Sequence, residues 1–106
     1  MSRAEGYAGA QRASDHADRV EPLWSKIATV RFLEFLVTLH RGAIFTMEDF
    51  RNWVMYRSLS DPPDNRAFGN LSRMAVRKKL ILWTGEYRRS KNPQTHGRDV
   101  KLWMVT

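Results

Sequence analysis

Arg66, Asn70, Arg73 and Arg77 recur at steps of four, three and four residues. At a helical advance of about 100° per residue they project within about 60° of one another. A guanidinium presents two parallel donors that match O6 and N7 of guanine, and a carboxamide carries the donor and acceptor that match N6 and N7 of adenine. Such a stripe has the chemistry to recognise base edges in a DNA major groove. Gly69 and Ser72 flank it and are small enough to let a phosphate or base edge approach the backbone. The same residues on an ordinary solvated helix face would only keep that face in water, so the surroundings must discriminate.

The charge around the stripe favours a polyanion. From Arg66 to Lys101 there are ten basic residues against two acids, Glu86 and Asp99, a local net of +8 in a chain whose total is +7. The rest of the chain, with eight basic and nine acidic residues, is close to neutral. Positive charge gathered in one part of a small domain is the pattern of phosphate neutralisation. Lys78, Lys79, Arg88, Arg89, Lys91 and Arg98 are the expected backbone-holding set, and a loop carrying several of them suits a phosphate backbone or a narrow minor groove. If about five cations meet phosphates, the binding constant falls with a log–log salt slope of about −4 to −5.

Other chemistries find little here. There is no cysteine, which excludes a disulfide framework and a thiolate metal site. His16, His40 and His96 are far apart and have no second ligand at metal-binding spacing, so neither metal nor cofactor is expected. Asp99-Val100-Lys101, with Glu86 upstream, is similar to the acid-x-Lys strand of a Mg2+ nuclease, but two strands offer no sheet to hold the metals. No nucleophile turn or triad context is present. The chain is expected not to be an enzyme.

The elements that must position the stripe follow from periodicity. At 106 residues there is room for one domain. Residues 1–20, rich in Ala, Gly and isolated charges, read as a flexible tail, leaving 21–106 as the folded domain. A first helix is expected over about 22–41, with Pro22 in its first turn and Gly42 as its stop; Trp24, Ala28, Phe32, Phe35, Leu36 and Leu39 form its inward face. Val30, Leu33 and Val37 form a second apolar stripe on that helix, which fits a homodimer. After the short extended link Ala43–Phe45, Thr46 and the acids behind it resemble a cap for a second helix over about 47–57. Asp61-Pro62-Pro63-Asp64 breaks the helical pattern, and Asp64 or Asn65 caps a third helix over about 65–78, with Phe68, Leu71 and Ala75 inward. Beyond Lys79 the period drops to two. Leu80–Trp83 and Val100–Val105 read as strands around a basic loop, residues 84–99, and Trp83 and Trp103 are expected in the core.

Helix, short link, helix, turn, helix, strand, loop, strand is the connectivity of an α+β winged helix-turn-helix: three helices followed by a C-terminal hairpin wing. Pro62-Pro63-Asp64-Asn65-Arg66-Ala67-Phe68-Gly69, Lys79-Leu80-Ile81, and His96-Gly97-Arg98 shortly before Leu102-Trp103 resemble a group of small winged-helix proteins of bacteriophage and prophage genomes. The resemblance covers about residues 22–104. It implies a phage origin, Arg66 and Gly69 at the start of the recognition helix, and His96-Gly97-Arg98 on the return limb of the wing. Lys79 stands where that pattern leads one to expect a helix-ending glycine. The function expected is that of a non-enzymatic double-stranded DNA-binding regulator of transcription, replication or recombination, located in the cytoplasm of a bacterial host. The alternative is a winged-helix module that docks on a host protein complex as a phage-encoded inhibitor or adaptor. No apolar stretch approaches bilayer length, so no membrane role is expected.

Overall fold

In the computed structural model, which describes residues 3–20, 23–57, 59, 62, 65–91 and 98–106, four α-helices accompany a three-stranded antiparallel sheet. The order is α1 (Arg3–Val20), α2 (Trp24–Val37), β1 (Ile44–Phe45), α3 (Met47–Val54), a 3-10 turn (Asn65–Phe68), α4 (Gly69–Arg77), β2 (Ile81–Arg89) and β3 (Asp99–Val105). The strands lie in the order β1-β3-β2. An α+β fold was expected, but with three helices. No described helix is long and apolar enough to cross a membrane.

The additional helix is α1, in the segment read as a flexible tail. Gly9, Ala10, Ala13, Ser14 and Ala17 are buried. Their spacing of three and four puts them on one side, and side chains this small let the helix lie close against the 3-10 turn, α2 and α4. The seam is so tight that a Cβ added to Gly69 would sit 3.3 Å from the Ala10 Cβ. At its C-terminal end, Asp18 accepts the Ser25 N–H at 2.8 Å and the Ser25 hydroxyl at 2.7 Å. It thereby satisfies one of the orphan donors of α2, whose own N-cap residue, Leu23, provides no side-chain acceptor.

The core is an aromatic cluster on the inner face of α2. Phe32 meets Phe50 edge-on at 5.0 Å, Phe35 meets Phe45 at 5.6 Å, and Trp24 meets Phe68 at 5.6 Å. Edge-to-face pairs of this kind add to the burial of large rings. Trp24, Ala28, Phe32, Phe35, Leu36, Phe68, Leu71 and Ala75 are buried as expected and Leu39 partly so, while on α3 Phe50 and Val54 are buried and Trp53 packs against them. α2 ends at Val37, short of the expected 41, because Thr38 and Leu39 turn back to the carbonyls of Phe35 and Leu36. Gly42, at φ 85°, then delivers the chain to the sheet, where its N–H donates to Val105 at 2.8 Å. Thr46 caps α3 reciprocally with Asp49, as its sequence position suggested. Pro22, Asp61, Pro63 and Asp64 lie outside the described residues.

The link before α3 is a strand, β1, with Phe45 opposite Trp103. β2 runs on to Arg89, six residues past the expected strand end, because a bulge between Trp83 and Tyr87 absorbs the loop-like sequence. Gly85 takes φ 85° there, and the Thr84 hydroxyl donates to the Leu102 carbonyl while accepting the Glu86 N–H. Trp103 is buried as expected, but Trp83, opposite it on β2, is 43% exposed and meets Tyr87 edge-on at 5.5 Å.

Candidate nucleic-acid interface

The expected third helix is built in two pieces, a 3-10 turn and then α4, which together cover Asn65–Arg77. Ala67, Phe68, Leu71 and Ala75 are buried and fix its rotation, leaving the stripe of arginines and asparagine on the other side. Arg66 and Arg77 are exposed, while Asn70 and Arg73 are half-buried.

α1 lies against the start of the stripe. A Cβ on Gly9 would lie 3.4 Å from Arg66 Nη1, and the Asn70 amide donates to Gln11 Oε1 at 3.4 Å. Between α1, α2 and α4 a cleft of about 300 Å3 opens, with Gln11, Ser14, Asn70, Arg73 and Arg77 among its walls. The start of the stripe is thus shared with α1, and its later half borders an open polar cleft. Gly69 and Ser72, expected to leave room for a phosphate or base edge, do something else: Gly69 admits Ala10, and Ser72 is buried with its hydroxyl on the Gly69 carbonyl at 3.1 Å.

The C-terminal end of α4 carries its cations into solvent. Lys78 and Lys79 are exposed, and Lys79 adopts φ 62°, the left-handed conformation that a glycine usually supplies at this position. The Lys78, Lys79 and Leu80 N–H groups close the helix on Met74, Val76 and Ala75. The main chain passes directly from there into β2, so α4 and the hairpin are joined by only three residues.

On the hairpin, Arg89, Lys91 and Arg98 are exposed. Arg88 behaves differently. Its Nη2 lies 3.3 Å from the Thr46 hydroxyl and 3.6 Å from Asp49 Oδ1, so its charge is spent on the first turn of α3. Glu48 holds the same limb by accepting the Ser90 hydroxyl and, at 3.2 Å, the Lys91 N–H. Two acids at the positive end of α3 therefore brace the loop end of the hairpin. Residues 92–97 of the wing tip, including Asn92, His96 and Gly97, lie outside the described residues.

Sequence reasoning missed the aromatic side of the hairpin. Lys101 Nζ lies 4.9 Å from the Trp83 ring centroid and 5.7 Å from that of Trp103, a cation–π contact that period-two patterning does not reveal. His16 and His40 are exposed on α1 and after α2, and among the described residues no three His, Asp or Glu side chains gather as a metal site. Comparison with known proteins found no matching family model, curated protein or solved structure.

Proposed function

We propose that the protein is a winged-helix protein that binds double-stranded DNA without catalysing a reaction, with α4 in the major groove and the β2–β3 hairpin on the neighbouring backbone or minor groove. The observation that supports this most directly is the succession of α3, a turn, α4 and a hairpin whose sheet has the order β1-β3-β2, with exposed cations on both α4 and the hairpin. Arg73 and Arg77 are the principal base-reading groups. Arg66 and Asn70 contribute from the end of the stripe bordered by α1. Lys78, Lys79, Arg89, Lys91 and Arg98 hold phosphates, and Arg88 positions the hairpin through Thr46 and Asp49. The resemblance to small bacteriophage winged-helix proteins supports the same reading, as a regulator of transcription, replication or recombination.

The test is fluorescence anisotropy of a labelled duplex at low and at physiological salt. Binding that weakens steeply with salt is expected. Absence of any duplex binding at low salt would overturn the proposal.

A second reading, a module that docks on a host protein complex, draws on one observation: Trp83 and Tyr87 stand exposed beside Lys101 on the hairpin, and exposed aromatics with cations are frequent interface anchors. A stable host-protein complex formed without nucleic acid, together with no duplex binding, would favour it.

A further inference from the structure

α2 is apolar on two sides. Trp24, Ala28, Phe32, Phe35 and Leu36 face the core, whereas Leu23, Ile27, Val30, Leu33 and Val37 remain on the surface. Leu23 is 61%, Val30 50% and Val37 84% exposed. At about 100° per residue, Val30 and Val37 fall in one row with Ile27 and Leu33 on its two flanks, and Leu23, the N-cap residue at φ 69°, precedes the helix at that end. Nothing in the described chain covers this row, and a helix with its core face already satisfied does not need it for folding.

The order of chemistry along the row is symmetric about Val30. Three residues before it is Ile27 and three after is Leu33; four before is Lys26 and four after is Glu34; seven before is Leu23 and seven after is Val37. Apolar answers apolar, and cation answers anion. Lys26 and Glu34 are both exposed; Glu34 also pairs with Arg31 of its own helix at 2.8 Å, itself tied to the Arg57 carbonyl.

We propose that this face pairs with the same face of a second copy of the chain, antiparallel, about a two-fold axis passing Val30. That operation sets Val30 on Val30, Leu23 level with Val37 of the second copy, and Ile27 level with its Leu33. Lys26 comes level with Glu34 of the second copy, and each contact off the axis occurs twice, as an isologous interface requires. A parallel arrangement sets Lys26 level with Lys26 and Glu34 level with Glu34, which is unfavourable. A different protein would have no need of chemistry that repeats in reverse order about one residue, so the pattern selects a second copy as the occupant. The inference does not depend on DNA binding and stands or falls separately from it.

Sedimentation equilibrium of the full chain tests it. A species of twice the 12.4 kDa chain mass is expected, and Val30→Glu, at an exposed position, should yield monomer with an unchanged thermal melt of the monomeric fold. Lys26→Glu or Glu34→Lys alone should weaken the dimer by about tenfold, and the double reversal should recover most of that loss. A chain that stays monomeric at high micromolar concentration overturns the proposal, as does a dimer indifferent to Val30→Glu. A double reversal no better than the single ones overturns the antiparallel register.

Discussion

Lys79 holds a backbone conformation that costs a side-chain-bearing residue about 1 kcal/mol relative to glycine, at the position where α4 closes on its own carbonyls. Its departure from the glycine expected there was legible in the chain, but the consequence was not, because φ is set by the turn into β2. Lys79→Gly should therefore stabilise the fold by about 0.5–1 kcal/mol, seen as a higher denaturant midpoint at unchanged slope. A lower midpoint would mean that the Lys79 side chain does more for the fold than its backbone costs. The same resolution applies to binding. Arg73 borders the cleft beside α4 and Arg89 stands exposed on the hairpin, so the two should fail differently. Arg73→Ala is expected to cost about 1–3 kcal/mol at one base position, while Arg89→Ala weakens all duplexes alike. Comparison of both variants across a set of point-substituted duplexes checks this; identical profiles would dissolve the division between reading and holding.

Among the elements, α1 is the one that sequence reasoning failed to find. Its buried positions are Gly, Ala and Ser, which contribute little hydrophobicity each, so no apolar stripe stands out from the polar background. The signal that could have found it is the spacing of small residues at 9, 10, 13, 14 and 17, which acquires meaning only beside a partner helix that also offers a glycine, Gly69. Ala17 is 1% exposed in that seam. Ala17→Leu should destabilise by about 1–3 kcal/mol through overpacking, although leucine is a good helix former. A denaturant midpoint that holds or rises in this variant would show that α1 is not docked in solution. α2 and α3 were readable because their inward aromatics repeat at helical spacing, and the Thr46 cap because a hydroxyl followed by acids is a local motif. β2 was cut short because Gly85 signals a loop to any local reading, whereas in the sheet it forms a bulge that strand pairing with β3 sustains.

For the chain as a single body, the ten-to-two imbalance between Arg66 and Lys101 is redistributed by folding. Arg88 is drawn onto Asp49 and Lys101 onto two indole rings. Lys78, Lys79, Arg89, Lys91 and Arg98 remain exposed, and if these five meet phosphates the log–log salt slope of duplex binding is about −4.5. Titration of one duplex at four or more salt concentrations measures it. A slope of about −2, which Lys78 and Lys79 alone would give, would remove the hairpin from the interface.

Composition, charge placement and the apolar periodicity of α2, α3 and α4 were settled by local chemistry, since hydrophobic period and capping depend on neighbours a few residues apart. Neither the docking of α1 over the start of the arginine stripe nor the diversion of Arg88 to α3 could be read that way. Both arise between residues about forty or more positions apart, where burial and charge pairing depend on how the elements meet rather than on any one element's pattern.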